Sequence, residues 1–256
     1  MTEIGLLESL PGLAFAFTLV LSRTGTVIML LPGLGEAEPP AVVRAGLALA
    51  LSLLLLPGVS GLVHEPLAPG LGAAMIAAEL LTGAVLGWLA RLPVLALGMA
   101  GAVMSYMLGL SSVVQPDPGL GGQSAALARL FGLAAPVLLL STGLYALPLS
   151  ALAGSYQIIG PGGALPFGTV ADTIVQAVSA SFGLAIRLSA PFLLAGLVWQ
   201  VALGLLARLV PQLQVYTAAA PGQILGGLVL LGLMATRILG AWSTSVSNDW
   251  AGLPGL

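Results

Sequence analysis

Ionisable residues are few, so their positions bound the chemistry: seven arginines, no lysine, nine acidic side chains and one histidine in 256 residues. Arg23, Glu79, Arg91 and Arg187 fall inside apolar runs, and Arg129, Asp172, Arg208 and Arg237 lie near the ends of such runs. Charges buried in that way are costly and face a bundle interior or cavity, where they can line an ion or proton route. The plainer use is structural, because a long arginine stem reaches water or a helix-end carbonyl. That use is preferred for Arg129 and Arg237, whereas Glu79 and Arg91 suit either. His64, in "VHEPLAPG", has no second ligand at metal-site spacing and reads as a solvated loop residue. Without cysteine there are no thiolate sites and no disulfides. No GxSxG, HExxH or P-loop pattern occurs, so acid–base catalysis has few players. The expectation is a protein that is not an enzyme, with no catalytic residue, no metal and no cofactor.

Two short stretches stand out against the apolar background. The first is "MAGAVMSYMLGLSSVVQPDPGLGG", where Met99, Met104 and Met107 precede a run of small and β-branched residues. Methionine fills irregular gaps and could seal a pore that deforms around passing chains, although core packing is its commoner use. Pro116 and Pro118 flank Asp117 and enforce non-helical backbone. At membrane depth such backbone must be buried in protein or line a cavity. The candidate gate or plug residues are therefore Met104, Met107, Leu108, Gly109, Leu110, Ser111, Ser112, Val113, Val114, Gln115, Pro116, Asp117 and Pro118. The second stretch is "RLVPQLQVY". Arg208 there complements the carbonyl end of a helix, Pro211 stops that helix, and Gln212 and Gln214 supply donors and acceptors for a polar turn.

The elements that hold these residues are membrane helices. Charged residues make up 6% of the chain, against about 25% in a soluble domain, and the mean hydropathy is +1.10. A net charge of −2 does not suggest nucleic acid as a partner. The acidic residues ahead of the first apolar run suit a retained first span better than a cleaved signal peptide. Apolar runs cover Leu13–Leu31 and Ala45–Val63, with Pro57 ending the second helix. Leu71–Leu110 is broken at Ala90–Pro93 into two spans or a kinked hairpin, and Val170–Leu209 is similarly broken at Ile186–Pro191. Ala125–Leu152 is interrupted by Pro136 and Pro148, and a last helix covers Pro221–Gly240, leaving residues 241–256 as a flexible tail. Small residues four apart, Gly83 with Gly87, Gly222 with Gly226, and Gly101, Ser105 and Gly109, mark faces for close helix packing. The fold class is all-α, a polytopic integral membrane protein of helical hairpins in a single domain, residues 1–256.

The stretches "LSRTGTVIMLLPGLGEAEPPAVVRAGLALALSLLLLP", "AELLTGAVLGWLA", "GLSSVVQPDPG", "SYQIIGPGG" and "AIRLSAPFLLAGLVWQVALGLLARLVPQLQVYTAAAPGQILGGLVLL" together resemble the FliR family, the T component of type III secretion export gates. Arg208, Pro211 and Gln212 carry the most specific part. Gln214 replaces the family's usual asparagine, and Gln223 stands near a common lysine. The resemblance implies assembly with FliP- and FliQ-type subunits, joined by FlhB- and FlhA-type partners, into a helical gate for unfolded export substrates. It implies a subunit-contact role for the Arg208 turn and a closing loop at Leu108–Gln115. It also implies helices that lie partly above the membrane plane. "GPGG" and Pro221 look flagellar, which implies the bacterial inner membrane and the flagellar basal body. The alternative is a small-solute or ion secondary transporter or channel, with Asp117, Glu79 and Arg91 on its route.

Overall fold

The computed structural model describes residues 3–35, 39–63, 69–110, 126–209 and 215–255. Helix α1 (Glu3–Leu30) is followed by α2 (Ala41–Val59), which tightens into a 3₁₀ turn at Ser60–Leu62. Then come α3 (Pro69–Met107), α4 (Ala126–Thr142), α5 (Ala146–Ile158), α6 (Phe167–Leu209) and α7 (Val215–Ala251). No strand occurs among the described residues. Among the described residues five helices are long and apolar enough to cross a bilayer, or six spans if α4 and α5, bent by 74°, count as one. The chain is an all-α polytopic membrane protein.

Proline proves a weak stop signal in this chain. The expected breaks at Ala90–Pro93 and Ile186–Pro191 are absent, and α3 and α6 run unbroken for 39 and 43 residues. Pro57 likewise sits inside α2, and Pro136 inside α4. A helix-interior proline removes one N–H from the ladder. In an apolar environment every other backbone group still needs its helical partner, so continuing the helix costs less than opening it. The break in the middle of the chain falls instead after Thr142, at Gly143, whose φ of +72° favours glycine. Pro148 occupies the first turn of α5, where a missing donor removes no helical bond.

The chain divides into two compact units. One comprises residues 1–92, 140–177 and 247–256. Its core is built from Leu19, Val20 and Ile28 of α1, Leu89 and Ala90 of α3, and Ala151 and Leu152 of α5. Helix α3 packs closely on α1 at the expected glycines. A Cβ on Gly83 would lie 2.5 Å from the Arg23 carbonyl oxygen, and one on Gly87 would lie 2.7 Å from Leu30 Cβ. The end of α7 belongs to this unit and corrects the expected loose tail. Trp250 is fully buried, its indole N–H donates to the Ala90 carbonyl at 3.0 Å, and its ring meets Tyr145 at 6.2 Å. The gain from burying so large a ring keeps the helix going past Gly240.

The other unit comprises residues 93–139 and 178–246. Leu127, Phe131, Ala135 and Leu139 recur every fourth position along α4 and are all buried. Gly101 brings α3 against the α4 backbone, where a Cβ would meet the Leu127 carbonyl oxygen at 2.7 Å. Ser105 accepts a hydrogen bond from the Leu127 N–H at 3.0 Å, satisfying a donor that the start of α4 leaves free. Trp242 is fully buried and donates to the Pro93 carbonyl at 3.1 Å. Gly222 and Gly226 do not make the expected close contact: a Cβ on Gly222 would come no nearer than 3.7 Å to the Trp199 ring, and nothing stands within 4 Å of one on Gly226. It is Gly227 that meets a neighbour, the side chain of Leu108. Apolar side chains cover much of the remaining surface, among them Leu194, Leu197, Val198 and Leu233. A helix apolar on every side belongs against lipid or other helices.

Candidate functional site

Two of the charges singled out in the sequence meet in the first unit. Arg23 of α1 and Glu79 of α3 are both fully buried and form a two-pronged ion pair, Nε to Oε2 at 2.7 Å and Nη2 to Oε1 at 2.9 Å. The guanidinium also donates to Ser155 Oγ at 3.1 Å and to the Ile159 carbonyl at 3.0 Å. Its carbon lies 4.1 Å from the centre of the Tyr156 ring. Glu79 Oε1 accepts a further bond from the Gly162 N–H at 2.7 Å. Gly162 has a φ of +72°, and a Cβ there would collide with Met75.

"SYQIIGPGG" therefore acts through its backbone and hydroxyl groups, which surround the ion pair. A charge pair removed from water is tolerable only when its geometry is good and its remaining donors and acceptors are used. Both conditions are met: four of the five guanidinium N–H groups have partners. Beside this node lies a cavity of about 500 Å³ bordered by Thr82, Leu86, Ser155, Leu165 and Thr173.

Arg91 and Arg187 do not join them. Arg91 is half-buried, and Arg187 is exposed rather than buried. On α6 the inward side is set by Ala185, Leu188, Ser189 and Phe192, at spacings of three and four, which turns Arg187 away from it. Among the described residues no three His, Cys, Asp or Glu side chains converge on a point that could hold a metal.

The gate candidates begin at the end of α3, in the second unit. Met104 is fully buried, Leu108 nearly so, and Met107 and Leu110 half-buried. The last turn tightens, with the Gly109 N–H donating to the Tyr106 carbonyl at 3.2 Å, and Gly109 takes a φ of +71°. Gln223 of α7 donates its side-chain amide to the Met107 carbonyl at 2.7 Å. Sequence reasoning marked Gln223 only as a departure from a family pattern and could not see this bond. Ser111, Ser112, Val113, Val114, Gln115, Pro116, Asp117 and Pro118 lie outside the described residues. So do Pro211, Gln212 and Gln214 of the polar turn, while Arg208 is exposed in the last turn of α6.

Long apolar helices, with a buried ion pair inside the first unit, define a polytopic membrane protein. The sequence profile of the bacterial export proteins, family 1, matches residues 14–248. The chain belongs to that family. It is 33% identical over 235 residues to the flagellar biosynthetic protein FliR of Caulobacter vibrioides, covering 90% of this chain and 92% of the relative. Against the Bacillus subtilis protein of the same name it is 30% identical over 233 residues, covering 88% of each. The Yop proteins translocation protein T of Yersinia pestis is 27% identical over 210 residues, covering 80% of each.

Proposed function

We propose that this chain is a membrane subunit of a flagellar type III protein export gate in the bacterial inner membrane, at the flagellar basal body. It assembles with FliP- and FliQ-type subunits, with FlhB- and FlhA-type partners alongside, and export substrates pass through the assembled gate unfolded. The observation that carries this reading is the near full-length similarity to proteins named for flagellar biosynthesis. Flagellar relatives range from 33% and 30% identity down to 25%, and the Yersinia secretion protein stands at 27%; the two higher values favour the flagellar system over a virulence-type one.

The exposed apolar faces of α6 and α7 suit lipid or neighbouring helices, and an assembled gate would cover part of them. In this reading Leu108–Gln115 close the resting gate and the Arg208–Gln214 turn contacts a neighbouring subunit. Glu79 is a poor carrier for a transporter, since its carboxylate is fully buried and held by Arg23 and Gly162. Deleting the gene should abolish motility and remove flagellar export substrates from the culture medium, with the plasmid-borne gene restoring both. Normal export in the deletion strain would refute the proposal.

A further inference from the structure

We infer that Gln223 is a positioning residue that latches the end of α3 in the resting gate; the inference rests on the gate reading of Leu108 and its neighbours. An α-helix leaves its last carbonyls without helical donors. At the end of α3 the Met107 carbonyl receives instead the Gln223 amide, at 2.7 Å, from a helix 116 residues away in sequence. The side chains on either side of that bond are received by glycines. Met107 lies against Gly196 of α6, where a Cβ would stand 2.8 Å from its sulfur, and Leu108 occupies the place a side chain at Gly227 would take.

The turn that follows is a pivot. Gly109 has a φ of +71°, and a Cβ built on it would lie 3.6 Å from the Gln223 amide, so the pivot and the latch are in contact. A space of about 200 Å³ bordered by Leu108, Gly196, Trp199, Gln223, Gly226 and Gly227 adjoins the seat. The space is an open cleft, with Gly222 and Gly226 exposed along its edge. Met107 and Leu108 can move into it without displacing a helix, which gives the helix end a second position. One side-chain hydrogen bond and two glycine notches then decide which position is held.

The test uses the complete complex, assembled with its partners and reconstituted for ion-conductance recording. Gln223→Leu keeps bulk and removes the donor; Gln223→Lys keeps N–H donors. A half-buried hydrogen bond of ordinary strength predicts a resting leak raised up to about tenfold in Gln223→Leu, and a tight gate in Gln223→Lys. If Gln223→Leu is as tight as wild type while a complex shortened between Gly109 and Val114 leaks, the latch is refuted and the gate reading stands. If neither leaks, the gate reading fails and the latch with it.

Should Gln223→Leu not assemble, a cysteine pair decides. A Cβ at Gly227 would lie 3.2 Å from Leu108 Cβ, close to disulfide separation, and the native chain has no cysteine to interfere. Oxidised Leu108→Cys/Gly227→Cys should block export and recover it on reduction. Export that continues through the oxidised pair overturns the inference.

Discussion

Glu79→Ala should leave a protein that cannot hold its first unit together. The substitution strands the Arg23 guanidinium in a fully buried site and frees the Gly162 N–H. Breaking a buried pair from one side costs about 3–5 kcal/mol, a large share of a net stability of about 5–15 kcal/mol. The expected result is a steady-state level many-fold below wild type, read by immunoblot of membranes. Arg23→Lys should fail almost as badly, because an ammonium cannot bond both carboxylate oxygens, Ser155 and Ile159 together.

The double substitution Arg23→Leu/Glu79→Leu should recover part of the loss. It leaves no charge unpaired, although Gly162 and Ile159 still lose their partners. If Glu79→Ala accumulates and assembles as wild type does, the ion pair is not what holds the unit.

Shortening the chain between Gly109 and Val114 should leave assembly intact and make the gate leak. A passage wide enough for a polypeptide also passes ions, so a resting gate needs an apolar and deformable seal. Methionine, leucine and valine provide one without the desolvation cost of buried charge. The expected result is sensitivity of cells to small solutes and a raised conductance of the reconstituted complex. A shortened complex as tight as wild type would reduce these residues to ordinary packing.

Helix existence and membrane character were legible in the sequence because both depend on composition along a run. Arg23 and Glu79 were legible as charges in the wrong place, but their pairing was not. Spacing reports which residues share one helix face, and 56 residues separate this pair. Proline taken as a break is a misreading at Pro93, Pro136 and Pro191, which lie inside α3, α4 and α6, whereas α6 does end at Leu209, just ahead of Pro211. Near Pro93, the carbonyls of Ala90 and Pro93 itself accept indole N–H bonds from Trp250 and Trp242, long-range contacts that no local window contains.

The same long-range burial carries α7 past Gly240 into what read as a tail. Glycine spacing found the α1–α3 contact at Gly83 and Gly87 but chose Gly222 and Gly226 on α7, where the structure uses Gly227. Periodicity marks a face and cannot say which of two adjacent glycines meets a partner. Gln223 was invisible for a similar reason: its partner is a backbone carbonyl, which every residue has.

Co-expression separates a gate subunit from a membrane protein that is stable alone. An affinity-tagged copy of this chain would be expressed alone and, in parallel, together with its FliP- and FliQ-type partners, and each preparation examined by size-exclusion chromatography with mass measurement. Co-expression should yield one complex containing all three proteins, and the chain expressed alone should aggregate or be degraded. A stable, monodisperse monomer that excludes both partners would contradict the gate reading.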